Sequence, residues 1–321
     1  MKKQFLWLAA LLLAACSNDN GSHEAEWNNL LHPLKVYSIA ENVSFVWIGT
    51  DYGLIRIDKS TLDTTLYDEQ NSNLPEHHVI SLAVDDSQAI WIGSSQSGLI
   101  HFDGQHWTVY DIENSNIPSN SISDINFHDG HLWIATPAGI AYFNGTSFTV
   151  YNTSNSELPS NTVTSIAVSE SGKIWVGTWG NGIGVFDGLE WTLYDTANTV
   201  MGSPFIFDIK ADAADQIWIG EGGGLDLVKG AMWKNYNTLN SGLPNSDVTN
   251  LSFDTHGHLW LGTYEGGIAE FDKSNWTVYN MDNSILPTNQ ITAIHVDQQN
   301  NKWIGTRFGL VLFNEHGIRF P

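Results

Sequence analysis

Trp47-Ile48-Gly49 is a short motif that recurs in seven copies along the chain. The other copies begin at Trp91, Trp133, Trp175, Trp218, Trp260 and Trp303, so neighbouring copies lie 42 to 44 residues apart. A regular period of this length is typical of propeller blades or of a solenoid. The sequence therefore predicts one repeat domain rather than a pair of conventional domains.

One copy of the repeat, residues 163–194, has the pattern of four short β-strands. Apolar runs, the first alternating with small polar residues, occupy 163–168, 174–178, 183–186 and 191–194. Asp187-Gly188 favours a tight hairpin before the last of these runs. A single four-stranded sheet cannot bury both of its faces, whereas seven sheets packed radially can. The sequence thus predicts an all-β fold, a seven-bladed β-propeller of four-stranded antiparallel blades.

The connection between successive blades has a constant length. Eighteen residues separate the head of each fourth strand from the middle of the next first strand, as from Trp191 to Ile209. Trp27 lies only 12 residues before Ile39, so it is not expected in a fourth strand. Residues 317–320 instead predict the fourth strand of blade seven, and the ring would then close by side-chain packing. The alternative is that residues 27–31 add to a sheet edge and latch the ring.

The N-terminus carries the pattern of an export signal. Residues 1–15 begin with two lysines and continue as an apolar run too short for a stable bilayer span. Leu13-Ala14-Ala15-Cys16 resembles the bacterial lipobox, which implies cleavage before Cys16 and lipidation of this single cysteine. The alternative is an uncleaved leader with an incidental cysteine. We expect a lipoprotein signal peptide at 1–15, the lipidated cysteine and a flexible tether at 16–33, and the propeller at 34–321. Ser17 favours the outer membrane of the bacterial cell envelope.

The chain is strongly acidic, with 35 Asp and Glu against 13 Lys and Arg and a net charge of −22. Nucleic acid is excluded as a partner, because binding it relies on neutralising phosphates with Lys and Arg. No basic cluster is present to hold anionic lipid, so the lipid anchor is the predicted membrane link. The acids are spread through turns, which indicates a solvated surface and a soluble monomer.

Loops after the second and fourth strands leave one end of each blade, and they are the best candidates for a binding site. The crossover loops share a pattern close to Asn-Ser-x-Leu-Pro, from which residues 198–202 depart. The loops after the second strands vary most, and their predicted ligand-binding residues are Asp51, Tyr52, Gln96, Trp179, Asn181, Glu221, Tyr264, Glu265, Arg307 and Phe308. Aromatic faces and charged groups on a rigid scaffold favour ligand binding, with a saccharide as one candidate. Alternatively, the aromatic side chains cover strand ends.

The central channel is the second candidate site. Its lining comes from the first strands and is mostly small, with the exceptions Asp124, Asp208, Lys210, Asn250 and His295. Carboxylates beside Lys and His could perform acid–base chemistry, so a lyase or hydrolase with Asp124, Asp208, Lys210 and His295 as catalytic residues is an alternative function. These groups could equally satisfy one another and channel water. We predict no cofactor and no metal site, because the paired histidines have no partner ligands at a recognisable offset.

The repeat closely resembles the two-component regulator propeller repeat over residues 34–321. The resemblance is carried by Ile174-Trp175-Val176-Gly177-Thr178, Gly182-Ile183-Gly184-Val185-Phe186 and Asn155-Ser156-Glu157-Leu158-Pro159. It implies a propeller like those in the periplasmic sensing regions of hybrid histidine kinases, many of them linked to polysaccharide use. No kinase or membrane-spanning segment follows Phe320, so we expect only the binding role: a non-enzymatic lipoprotein that binds a ligand or an envelope protein. An assembly scaffold is a further alternative, and it predicts an exposed apolar patch on one face.

Overall fold

The computed structural model describes residues 25–320. Between these residues the chain forms 28 strands in seven four-stranded antiparallel sheets, which confirms the seven-bladed β-propeller. The predicted signal peptide and Cys16 lie outside the described residues, as does the part of the predicted tether up to residue 24. Within the described part of the chain, no helix is long and apolar enough to cross a membrane.

Blades one to four follow the chain in order. Blade one consists of β2 (Val36–Glu41), β3 (Phe45–Thr50), β4 (Gly53–Asp58) and β5 (Thr64–Tyr67). Blade two consists of β6 (Val79–Val84), β7 (Ile90–Ser94), β8 (Leu99–Phe102) and β9 (Trp107–Tyr110). Blade three consists of β10 (Asp124–His128), β11 (His131–Thr136), β12 (Gly139–Phe143) and β13 (Phe148–Tyr151). Blade four consists of β14 (Val163–Val168), β15 (Ile174–Thr178), β16 (Ile183–Phe186) and β17 (Trp191–Tyr194).

Blades five and six repeat this plan, and blade seven combines both ends of the chain. Blade five consists of β18 (Ile206–Ala211), β19 (Ile217–Glu221), β20 (Gly224–Lys229) and β21 (Met232–Tyr236). Blade six consists of β22 (Val248–Phe253), β23 (Leu259–Thr263), β24 (Ile268–Phe271) and β25 (Trp276–Tyr279). Blade seven consists of β26 (Ile291–Val296), β27 (Lys302–Thr306), β28 (Gly309–Asn314) and, as its outer strand, β1 (Glu26–Leu31).

The first strands of the blades surround the centre of the ring. Each contacts the first strands of both neighbouring blades, in the closed order β2, β6, β10, β14, β18, β22, β26 and β2 again. Because this cycle closes after seven strands, each sheet has a neighbour on both faces. Seven apolar clusters, each shared between adjacent sheets, form the core.

The tryptophans of the repeated motif pack between neighbouring blades. Trp260 is fully buried; its ring stacks on Tyr279 of its own blade at 6.1 Å and meets Phe313 of the next blade edge-on at 6.0 Å. Six of the seven tryptophans are buried and Trp133 is half-buried. Large aromatic rings supply much of the burial energy in such a core.

In four of the blades, an aspartate in the first hairpin turn fixes the tryptophan; it is half-buried in blade two and buried in blades five, six and seven. The sequence alone does not predict this pairing. In each case Oδ2 accepts a hydrogen bond from the indole Nε1 six residues later. The pairs are Asp85–Trp91 at 3.0 Å, Asp212–Trp218 at 3.3 Å, Asp254–Trp260 at 3.4 Å and Asp297–Trp303 at 2.9 Å. The same aspartates accept hydrogen bonds from backbone N–H groups of the turn through Oδ1. Each carboxylate therefore ties the turn to the core.

The ring is closed by a strand from the N-terminal end, so the expected fourth strand at residues 317–320 is wrong. β1 pairs antiparallel with β28. In this pairing Trp27 faces Phe313, just as Trp276 at the start of the fourth strand of blade six faces Phe271. The two rings stack 3.9 Å apart. The expectation that Trp27 stands outside a fourth strand is also wrong, because the 18-residue spacing reflects a long crossover loop that β1 lacks. The alternative latch by residues 27–31 is confirmed.

Candidate functional site

The ring has two chemically different ends. We call the end with the loops after second and fourth strands the crossover end, and the end with the two remaining turns the hairpin end. Nine of the ten predicted ligand-binding residues present an exposed or half-buried side chain at the crossover end: Asp51, Tyr52, Gln96, Trp179, Asn181, Tyr264, Glu265, Arg307 and Phe308. The four aromatic residues among them are each about half exposed, between 46% and 54%.

A hydroxyl at the end of the second strand shapes these loops. The Thr50 Oγ1 donates to the backbone oxygen of Gly53 at 2.8 Å and accepts from the N–H of Tyr52 at 3.1 Å. Gly53 has φ of 129°, a conformation that favours glycine. The loop is thus turned tightly, and the Tyr52 ring is left facing solvent.

A pocket lies at the crossover end between blades one and two. Its volume is about 470 Å³, and its lining residues are Asp51, Tyr52, Asp68, Glu69, Gln70, His77 and His78. The Nδ1 atom of His77 lies 2.9 Å from Oε1 of Glu69, and the His77 and His78 rings are 4.5 Å apart. The loop pattern predicts Asp51 and Tyr52 as site residues, but it does not indicate the crossover residues, because most crossover loops share one motif.

A second aromatic group surrounds Trp179 at the boundary of blades four and five. The Trp179 ring lies 5.2 Å from that of Phe205 and 5.9 Å from that of Phe207, and Trp179 forms a β-bridge with Phe205. Phe205 is 40% exposed. The crossover loop at 198–202 departs from the motif of the other crossover loops. This irregularity is the sequence signal for Phe205, which lies just before β18.

The structure corrects the placement of Glu221, which was predicted in the exposed loop. It is the last residue of β19 and fully buried. Its carboxylate accepts hydrogen bonds from the N–H groups of Gly202 at 3.1 Å and Gly223 at 2.7 Å and from Asn235 Nδ2 at 3.2 Å. Burial, together with the charge of Asp226, raises the pKa of Glu221 to about 8.

Asp226 and Asn235 complete this buried polar group in blade five. Asn235 Nδ2 also donates to Asp226 Oδ1 at 2.9 Å, so one amide joins the two carboxyls. Asp226 is fully buried, and burial raises its pKa to about 6. The group lies beneath the rim instead of on it, so Glu221 does not face a ligand there.

The channel carboxylates hold neighbouring blades together. Asp124 Oδ2 accepts from the N–H of Ile166 in the next blade at 3.0 Å, and Asp208 Oδ2 accepts from the N–H of Leu251 at 2.7 Å. Lys210 Nζ lies 3.4 Å from Asp208 Oδ1. Burial raises the pKa of Asp124 to about 6, although Lys210 opposes that shift. Two of the four catalytic candidates, Asp124 and Asp208, are therefore engaged as ties between first strands, and Lys210 pairs with Asp208 within β18.

His295, the fourth catalytic candidate, belongs to a separate group. Its Nε2 lies 3.4 Å from Oε1 of Glu41, whose other oxygen pairs with Lys59. Burial opposes ionisation of Glu41, but His295 and Lys59 together lower its pKa. Within residues 25–320 no hydrogen bond or ion pair joins His295 to Asp208, so the channel does not assemble the predicted acid–base set.

Two segments of the chain match the family model for the two-component regulator propeller, residues 157–180 and 242–265. Each segment runs from a crossover loop through the first two strands of a blade and into the variable loop, ending at Trp179-Gly180 and at Tyr264-Glu265. No curated protein sequence matches the chain.

Solved structures share the fold at low sequence identity. The extracellular domain of a hybrid two-component system from B. thetaiotaomicron gives a TM-score of 0.79 at 22% identity, over 90% of this chain and 41% of that one. A second such domain from B. thetaiotaomicron gives 0.75 at 20% identity, over 92% and 40%. Virginiamycin B lyase from Staphylococcus aureus gives 0.73 at 14% identity, over 90% and 99%. The chain thus spans about two fifths of the length of the two-component domains, and the likeness extends to the fold alone.

Proposed function

The chain carries two-component regulator propeller repeats, and we propose that it is a non-enzymatic binding protein that takes a small polar ligand of saccharide type at the crossover end. The pocket between blades one and two is the observation that carries this proposal. Its volume of about 470 Å³ lies within the usual range for small-ligand sites. The pocket also contains two of the residues predicted from the loop pattern, Asp51 and Tyr52.

The pocket chemistry suits a polyhydroxylated ligand. The exposed Tyr52 ring offers a flat apolar face, and Asp68 and Glu69 offer hydrogen-bond acceptors. His77 and His78 each have ring nitrogens that donate or accept according to tautomer. A sugar ring has both apolar faces and hydroxyl groups that donate and accept, so it can use all three kinds of contact.

The proposal extends to location. Two of the solved domains named above are extracellular parts of two-component systems, which favours a binding role outside the cytoplasm for this chain. We propose that Cys16 is lipidated and that the propeller is held at the outer membrane by this anchor. Metabolic labelling with an alkyne fatty acid, compared between the native chain and Cys16→Ala, tests the anchor independently of the binding site.

A glycan array combined with thermal-shift assays tests the binding site. We expect the pocket variant Tyr52→Ala/His77→Ala to lose at least about tenfold in affinity for any glycan that binds, since both side chains line the cavity. Met232→Ala is the matched control, because Met232 is 66% exposed at the hairpin end. Equal glycan profiles for the native chain and the pocket variant would end the saccharide proposal.

Docking of an envelope protein is the second candidate, and the distribution of apolar side chains favours it. Of the fourteen large hydrophobic residues exposed within 25–320, ten lie at the crossover end: Tyr52, Ile112, Trp179, Val200, Phe205, Leu239, Tyr264, Met281, Ile285 and Phe308. Concentrations of exposed apolar surface mark interaction sites more often than chance placement does. The same assay series discriminates the two functions, because Trp179→Ala/Tyr264→Ala should weaken a protein contact while sparing glycan binding in the pocket.

A further inference from the structure

Four side chains that commonly ligate metals converge at the hairpin end of blade six. They come from the turn between β22 and β23 and from β24, and they are Asp254, His256, His258 and Glu270. One ligand atom each from Asp254, His258 and Glu270 lies within 4.8 Å of the others. We propose that these four residues bind a divalent transition-metal ion with Zn²⁺-like preferences. This site lies at the opposite end of the ring from the pocket and is independent of the function proposed for it.

The spacing of the ligand atoms is close to what such an ion requires. Metal–ligand bonds of 2.0–2.2 Å in a tetrahedral site place neighbouring ligand atoms about 3.4 Å apart. His258 Nδ1 lies 2.8 Å from Glu270 Oε1 and 3.7 Å from Asp254 Oδ2. His256 Nδ1 lies 3.8 Å from the same Asp254 oxygen. These distances lie on both sides of the required value, so Asp254, His258 and Glu270 are already close to the geometry of a metal site, and rotation of the exposed His256 side chain brings in the fourth ligand.

Asp254 is held in place before any ion binds. Its Oδ1 accepts from the N–H groups of His256 at 2.9 Å and His258 at 2.8 Å, and its Oδ2 accepts from the Trp260 indole at 3.4 Å. The aspartate is therefore fixed by the turn and the core, and the turn carries both imidazoles on its own backbone. Ligands that are oriented by hydrogen bonds lose little conformational freedom on binding.

The other blades supply an internal comparison, because the same turn aspartate occurs there without the other ligands. In blade five, Asp212 is followed at the corresponding positions by Ala214 and Gln216, and Leu227 takes the place of Glu270. Blade seven has glutamine, asparagine and leucine at these positions, and blade two has a single histidine, His101. The hydrogen bonds of the turn therefore explain why an aspartate occurs in all four blades. They do not explain the two histidines and the glutamate, which occur together in blade six.

The neighbouring groups allow an ion to enter and be held. The His256 side chain is 62% exposed and that of His258 36%, so solvent reaches both imidazoles, while Asp254 is 3% exposed and Glu270 is 18% exposed. A net charge of −22 favours cations near the surface in general. Four protein ligands would fill a tetrahedral sphere, as in structural zinc sites, so the ion would clamp β24 to the turn.

Titration of the full chain with Zn²⁺ alone, followed by calorimetry and thermal unfolding, tests the site. We expect one ion per chain and a raised melting temperature. With Co²⁺, we expect visible absorption bands of a four-coordinate complex. The variant His256→Ala/His258→Gln/Glu270→Leu carries the side chains of blade five and should fold, but its affinity for Zn²⁺ should fall at least about tenfold and its Co²⁺ bands should vanish.

Two control variants decide where the ion binds. His106→Ala removes an exposed histidine that pairs with Asp103, and it should bind Zn²⁺ like the native chain. His77→Asn/His78→Asn removes the histidines of the pocket and should also leave the Co²⁺ bands in place. If the blade-five-like variant binds as tightly as the native chain, or if the signal is lost with His77 and His78 instead, the site is not at blade six.

Discussion

Blades five and six have the same four strands, yet their interiors differ where the second strand reaches the crossover end. In blade six, the Thr263 hydroxyl donates to the backbone oxygen of Gly267 at 2.9 Å, and Ala269 pairs with Val278 across β24 and β25. The corresponding residues of blade five are Glu221, Asp226 and Asn235. All three replacements are polar, and Glu221 and Asp226 are fully buried.

The difference shows that the buried polar groups of blade five occur together and are joined by hydrogen bonds. Asn235 donates to both carboxyls of blade five, and a valine in its place, as in blade six, would leave Asp226 without a hydrogen-bond donor. Buried polar groups are tolerated when they are hydrogen-bonded and are costly when they are not. Glu221 and its partners are therefore one structural unit. The following predictions test whether the stability of the protein depends on the presence of all three residues and on the protonation of the two carboxyls.

Ala269→Asp should have the largest effect, because it places one member of the blade-five set in blade six without the others. Ala269 is fully buried, and we expect a loss of about 4 kcal/mol in the free energy of unfolding at pH 8. The double variant Ala269→Asp/Val278→Asn should recover roughly 1 kcal/mol or more through the new hydrogen bond. Urea unfolding measures both values.

Ala269→Asn is the control for size, since it adds a similar volume without a charge. The loss caused by Ala269→Asp should shrink at pH 5, where the buried carboxyl takes up a proton, whereas that caused by Ala269→Asn should not change. A loss that is equal for the two variants at both pH values would mean that overpacking, rather than the buried charge, decides which residues this position accepts.

The second prediction concerns pH and compares the native chain with the blade-six-like variant Glu221→Thr/Asp226→Ala/Asn235→Val. The pKa of Glu221 rises from 4.5 to about 8 and that of Asp226 from 3.8 to about 6. Groups with a raised pKa in the folded state contribute stability that is complete below their ordinary pKa and is lost as the pH rises through the folded value. The native chain should therefore lose roughly 3 kcal/mol between pH 5 and 8 relative to the variant.

Thermal or urea unfolding at intervals of half a pH unit gives this difference curve. Subtracting the variant removes the contributions of acids elsewhere, such as Asp85, whose pKa is lowered. A flat curve, or one that rises toward pH 8, would show that Glu221 is ionised in the native chain throughout this range.

The sequence predicted the ring because the strand pattern is visible in every copy of the repeat. The prediction of the fourth strand of blade seven was wrong because the connection from that strand to the next blade has a different length. The tryptophan period gave the blade number, and tight hairpin signals gave the strand order. Trp27 was misplaced because its crossover is shorter than the others, so a spacing rule derived from six loops did not apply to the seventh connection. Register with β28, not chain distance, decides the position of β1.

The candidate site was predictable in outline but not in detail, for a similar reason. The loop pattern located the exposed ring of Tyr52, since loops after second strands leave the sheet at the same end. It could not reveal that Glu221 turns inward, because the buried partner Asp226 follows five residues later and Asn235 fourteen residues later, at offsets with no local signal. The pairing of His258 with Glu270 likewise depends on cross-strand register, which sequence spacing does not display.

The smallest expected effect concerns the hydroxyl that blade six keeps and blade five has replaced. Thr263→Val preserves the side-chain shape but removes the donor to Gly267 O and the acceptor for the N–H of Gly266, each at 2.9 Å. We expect a loss of about 1 kcal/mol in urea unfolding, because the N–H of Gly266 then lacks its acceptor and the carbonyl oxygen of Gly267 keeps only the backbone N–H of Thr263 at 3.0 Å. Thr178→Val is the matched change in blade four, where Oγ1 donates to Gly182 O at 2.7 Å, and it should cost about the same. If Thr263→Val has no measurable effect while Thr178→Val does, the loop of blade six is held by something other than this hydroxyl, and Glu221 cannot be regarded as its functional replacement.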